Sequence, residues 1–190
     1  MKCVFLGIGF FVVMAGCSSS SAPNDATPTC PTSGAVPPGG YGCDLTFADN
    51  DHANMCLSPL HYEQSEIMTV MRTHGDELSL DAWEPKGAQR SMYLVVMNPK
   101  PPFVTGDRAA FHDDTARIAA VLTLSLNPTV DGMVEFEATR GSLTITKVSG
   151  TEYTLVADGL RMAAYSLDPT NVHGRGSYSA SLACHVDTGN

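Results

Sequence analysis

The last stretch of this chain alternates without a break. Tyr178, Ala180, Leu182, Cys184 and Val186 fall on one side of an extended segment, and Ser177, Ser179, Ser181, Ala183 and His185 on the other. Side chains of a strand point alternately to opposite faces, so a sustained period of two fits a half-buried β-strand and no helix. Cys184 lies on the apolar side, where a disulfide would be shielded from solvent.

The same period recurs upstream. Leu78, Leu80 and Ala82 alternate with polar residues, as do Ala120, Leu122, Leu124 and Leu126, and then Val134, Phe136 and Ala138. Gly141 to Val148 and Glu152 to Val156 are parted by Ser149-Gly150-Thr151, a connection of hairpin length, and Leu160 to Ala164 extends the meander with a third strand. Met92 to Met97 is apolar on both faces, as expected of a central strand. One short helix is expected: Ser58-Pro59 offers an N-cap followed by proline at the first helical position, for a turn or two ending near Gln64. Eight or so short strands with turn signals between them predict an all-β fold over residues 58–190, an antiparallel β-sandwich with a barrel as the alternative. An immunoglobulin framework does not fit, because Cys184 lies 101 residues beyond the single Trp83.

The N-terminal part is composed differently. Lys2 precedes an apolar run from Val4 to Val13, which ends in Met14-Ala15-Gly16-Cys17-Ser18. A helix spanning a bilayer takes about 20 apolar residues, and this run is too short. The arrangement resembles the signal peptide and lipobox of a bacterial lipoprotein. An ordinary cleaved signal peptide would also use Ala15-Gly16; the cysteine at the cut and the Ser-rich stretch behind it favour the lipoprotein. The resemblance implies that residues 1–16 are removed and that Cys17 carries a thioether-linked diacylglycerol and an acylated amino group. One acyl chain holds a membrane marginally, and two or more make the attachment durable. Ser18 after the cysteine implies, in that family, release to the outer membrane, so the expected address is the cell envelope. Residues 17–29 then form the lipid anchor and a disordered Ser/Pro linker, and residues 30–57, dense in Pro, Gly, Asn and Asp, a loop-rich region stapled by disulfides. The segment from Glu135 to Met162 resembles β-rich regions of uncharacterised secreted lipoproteins, which implies a fold class and no activity.

Six cysteines sort accordingly. Cys3 leaves with the signal and Cys17 is the lipid site, so Cys30, Cys43, Cys56 and Cys184 remain, an even number in a chain bound for an oxidising compartment. Three connectivities are open. The favoured one joins Cys30 to Cys43 across a short Pro/Gly-rich loop and Cys56 to Cys184 across the domain. Zinc ligation fits poorly, since there is no CxxC pair and the spacings are 13, 13 and 128.

The formal net charge of −9 disfavours nucleic acid, whose binding draws on cationic contacts, and equally a polybasic hold on anionic lipid. Catalytic motifs are missing: there is no Gly-x-Ser-x-Gly, HExxH or P-loop. Asp49-Asn50-Asp51-His52 opens like an EF-hand loop but has Ala53, Asn54 and Leu60 where a ligand, a glycine and a glutamate belong. Three clusters stand out as loop-borne His/carboxylate groups: Asp49, Asp51 and His52; His74, Asp76 and Glu77; and His112, Asp113 and Asp114. Each reads first as a polar turn on an acidic protein. Two of them together would suit calcium or zinc, or a hydrolytic site. No cofactor is identified. His173 and His185 fall at turn or polar positions and read as solvated. Trp83, Tyr93, Tyr153, Tyr165 and Tyr178 could line a carbohydrate or ligand surface, Tyr178 being assigned to the core by its alternation. The function expected is that of a membrane-anchored, non-enzymatic binding or envelope-assembly module with an envelope protein or carbohydrate as partner; the alternative is a metal-dependent or hydrolytic enzyme.

Overall fold

Ten strands and one three-residue 3-10 turn make up the regular secondary structure of the computed structural model, which describes residues 40–51, 56–71, 75–84, 90–113, 115–129, 132–165 and 176–189. The strands are β1 (Gly42–Asp51), β2 (Leu60–Glu63), β3 (Ile67–Met71), β4 (Glu77–Trp83), β5 (Arg90–Met97), β6 (Asp107–Phe111), β7 (Ala119–Thr129), β8 (Gly132–Lys147), β9 (Glu152–Tyr165) and β10 (Ser177–Asp187). The all-β class is as expected. All ten strands belong to one sheet in the order β2-β1-β10-β9-β8-β6-β7-β5-β4-β3, curled nearly shut into a barrel, the alternative to two packed sheets.

The way the sheet closes follows from strand direction. Every neighbouring pair except β6 and β7 is antiparallel, so β2 and β3, at opposite ends of the order, run the same way. Only the 3-10 turn Gln64–Glu66 separates them. They are two halves of one interrupted strand, β2 pairing with β1 and β3 with β4. Side chains complete the seam. The Gln64 carboxamide donates to the Asp187 carbonyl and accepts from the Asp187 N–H, as a peptide group of a neighbouring strand would, and the Thr69 hydroxyl donates to the same carbonyl at 2.9 Å. The helix expected from Ser58 to Gln64 is therefore a strand followed by a single 3-10 turn. Alternate burial of Leu60 and Tyr62 against exposed His61 and Glu63 outweighs the local Ser-Pro capping signal.

Two strands are longer than their sequence runs. Val134–Ala138 and Gly141–Lys147 belong to one strand, β8, which stops one residue short of Val148, and Glu152–Val156 and Leu160–Ala164 to one strand, β9. The register slips on β8 between Ala138 and Ser142, and on β9 opposite Ala180 and Leu182. Each slip flips the parity, so inward residues change from Val134, Phe136 and Ala138 to Leu143 and Ile145 on β8, and from Tyr153, Leu155 and Ala157 to Leu160 and Met162 on β9. Gly141 and Gly159 sit at these slips with φ of 127° and 64°. A Cβ on Gly141 would lie 3.0 Å from the Leu160 Cα, so only glycine fits.

The interior is a continuous apolar cluster drawn from every strand, with Leu45, Leu80, Leu94, Leu122, Phe136 and Leu155 among its fully buried members. β1 lies within the stretch 30–57 expected as loops and pairs along its whole length with β10. That register sets Cys43 opposite Cys184, and the two form a disulfide with Cα atoms 4.1 Å apart. Cys56 is also disulfide-bonded. The favoured pairing of Cys30 with Cys43 and Cys56 with Cys184 is thus corrected: cross-strand adjacency, which depends on the β1–β10 register, decides over loop length. The signal peptide, Cys17, the linker and Cys30 lie outside the described residues.

Candidate functional site

A single-layer barrel covers only the inner face of its sheet, so apolar residues on the outer face stay in solvent. On β3, β4, β5 and the start of β7 the pairing arranges those outward positions in rows. One row runs Met68, Asp81, Tyr93, Thr123; the next runs Val70, Ser79, Val95, Val121. Trp83 and Ser91 pair on one side of these rows and Glu77 and Met97 on the other. Met68 is 53% exposed, Trp83 43% and Tyr93 46%, and Val70 and Met97 are exposed as well. Met92–Met97 is a central strand as expected, yet its outer face is open, with no second layer among the described residues to cover it.

Trp83 and Met68 also border a surface groove of ≈ 590 Å³, completed by Gln64, Ser65, Ile67 and Thr69 along the seam. Asp81 stands among the apolar side chains, flanked across the strands by Met68 and Tyr93 and preceding Trp83 by two residues. No hydrogen bond or ion pair reaches it among the described residues. Of the five aromatic residues singled out in the sequence, Tyr153 and Tyr178 are buried, Trp83 and Tyr93 share this wall, and the side chain of Tyr165 lies outside the described set. Burial of Tyr153 was legible in its alternation with Leu155.

The His/carboxylate clusters are only partly covered. His52, His74 and Asp114, as well as His173, lie outside the described residues, and Asp49 and Asp51 are described in backbone alone, at the end of β1. Asp113 is committed to its own turn: one carboxylate oxygen accepts from the Thr115 hydroxyl at 2.6 Å and from the Thr115 N–H at 2.9 Å, which holds the acid below its ordinary pKa. His112 beside it has φ 53° and is exposed. Asp76 precedes β4, and its carbonyl accepts from the Asn98 N–H at 2.7 Å. Among the described residues no group of three His, Cys, Asp or Glu side chains converges as metal ligands would.

A different cluster escaped the sequence reading. His185 Nε2 is 2.6 Å from Glu152 Oε1, the Ser149 hydroxyl donates to Glu152 Oε2 at 2.9 Å, and the Tyr41 ring lies 4.6 Å from the His185 ring. Finding it needs the β9–β10 register, which the sequence does not print. Serine, histidine and glutamate are all present, but in the wrong order for nucleophilic catalysis. The carboxylate is in the middle and the serine bonds to it, whereas activation requires the histidine to take the serine proton. The group works as a latch that fixes Tyr41 to the barrel rim.

Its titration gives a testable pH dependence. Hydrogen bonds from Ser149 and then His185 hold Glu152 below its ordinary pKa, and a bond from Thr151 does the same for Asp187. Protonating these acids in the folded state must break those bonds, so the unfolded chain takes up protons more readily and stability falls on acidification. The melting temperature should hold from neutral pH down to about pH 5 and drop below about pH 4.5, with Glu152→Gln showing a shallower drop. Superimposable acid limbs for the two proteins would refute the latch.

Inside the seam, Tyr62 is fully buried, with burial and the nearby Glu84 carboxylate pushing its phenol well above the usual range, so it stays protonated and is no base at neutral pH. Glu84 pairs with Arg90 beside it. No helix of the described residues is long and apolar enough to cross a membrane. No family model, curated protein or solved structure matches the chain.

Proposed function

We propose that this chain is a lipoprotein of the outer membrane, held there by acylated Cys17, and that its barrel is a non-enzymatic binding module facing the envelope. The observation that carries the binding half is the outer wall of β3, β4 and β5, where Met68, Val70, Trp83, Tyr93 and Met97 are exposed together. Single apolar residues on a surface are ordinary, but a contiguous group on one wall marks a contact surface. The barrel interior is filled with side chains, which leaves the outside of the wall to meet a partner. The anchoring half is supported by the lipobox-like run ending at Cys17, and the disulfide between Cys43 and Cys184 is compatible with an oxidising compartment.

The tether is tested by Cys17→Ser. In fractionated cells the native protein should sediment with membranes, and the variant should move to the soluble fraction. A variant that still sediments with membranes removes the lipoprotein reading.

A further inference from the structure

We infer that the wall of β3, β4 and β5 docks a cationic segment of another polypeptide, one in which arginine or lysine neighbours apolar side chains. This rests on the binding reading above and names the partner's chemistry. Charge is distributed unevenly round the barrel. The outward positions of β3, β4, β5 and the start of β7 carry no Lys, Arg or His, and their charged members are Glu77 and Asp81. Arg108, Arg140, Lys147 and Arg161 all belong to β6, β8 and β9.

Asp81 is the centre of the argument. A carboxylate between Met68 and Tyr93 and beside Trp83 interrupts a surface otherwise suited to apolar contact, and no cation of the described residues neutralises it. A guanidinium or ammonium would do so, while its aliphatic stem lies along Met68 and its charge faces the indole or phenol ring. Arginine suits the place especially, because its planar head can stack on an aromatic ring and bond a carboxylate at once. The Ser65 hydroxyl at the groove edge supplies a further acceptor.

Other occupants fit less well. Anionic headgroups would be repelled by Asp81 and Glu77. An added β-strand needs a long open edge, whereas the terminal strands β2 and β3 are four and five residues long and are joined through the seam. A neutral sugar could stack on the rings but would leave the carboxylate uncompensated. A second copy packed face to face would bring Asp81 against a wall equally lacking in cations.

The chain's single tryptophan is Trp83, so its emission reports on this wall alone. Full-length protein in nonionic detergent is titrated with the capped peptide Arg-Leu-Arg-Leu-Arg and, separately, Glu-Leu-Glu-Leu-Glu. The basic peptide should change the emission saturably and the acidic one should not. Asp81→Asn should weaken binding about tenfold, and raising salt from about 50 mM to about 500 mM should weaken it comparably. Tyr93→Ala, whose tryptophan is retained, should weaken it by the same readout, with circular dichroism confirming the fold of both variants. Equal affinity of native protein and Asp81→Asn, or binding indifferent to salt, overturns the inference. So does a saturable response to maltotriose with none to the basic peptide, or self-association in sedimentation that covers the wall. These outcomes are separate from the fate of the anchor, which Cys17→Ser fractionation reads with no peptide present.

Discussion

Replacing Cys43 and Cys184 together by alanine lowers the unfolding free energy by about 5 kcal/mol. The bond spans a sequence separation of 141 residues, so it restricts the unfolded chain severely, and the chain-entropy relation converts that loop to about 5 kcal/mol. A domain of ordinary size has only about 5 to 15 kcal/mol in hand, so the double variant should be near its unfolding limit at room temperature. Both cysteines are fully buried, at 0% exposure, so reductant should act on the native protein only through its unfolding. Urea melts of native protein with and without reductant, and of the double variant, measure the effect. Loss of less than about 1 kcal/mol would mean that the strand register alone holds β1 on β10. Mapping of unreduced peptides checks the pairing independently, since Cys184 must appear joined to Cys43 and not to Cys56.

That pairing also marks where sequence reading gives out. The strand β10 was legible because each inward residue faces the filled barrel and every outward residue except the buried Ala183 meets water, so burial writes a period of two into the sequence. Its partner was not legible: nothing local to Cys43 states that β1 lies beside β10 as well as beside β2, the next strand in the chain. The slips at Gly141 and Gly159 defeat the period for another reason. A bulge adds a residue, reverses the parity and reads as a strand end, although hydrogen bonding continues past it. The candidate wall shows the same division. Trp83 and Tyr93 stand out by residue type, but their sharing a face with Met68 around Asp81 depends on the register of three strands. His185 and Glu152 likewise meet only once β9 and β10 are aligned.

Phe136→Ala should destabilise the fold by about 4 kcal/mol, and the contrast with Trp83→Ala separates the two sides of the barrel wall. Phe136 is fully buried on β8, and its ring meets Tyr178 edge-on at 5.3 Å, while Tyr178 meets Phe47 at 6.1 Å. The three rings come from β8, β10 and β1, so truncating Phe136 opens a cavity between strands that the backbone hydrogen bonds keep from collapsing. Lost transfer energy and the residual cavity together amount to about 3 to 5 kcal/mol for such a change. Trp83 is an aromatic of comparable size placed on the outer face, with its ring already partly in water, and its removal should cost no more than about 1 kcal/mol. If thermal and urea melts rank the two variants in this order, the interior carries the stability and the outer aromatics are available for a partner. A Trp83→Ala loss as large as that of Phe136→Ala would make the indole part of the structural core and remove the wall as a docking surface.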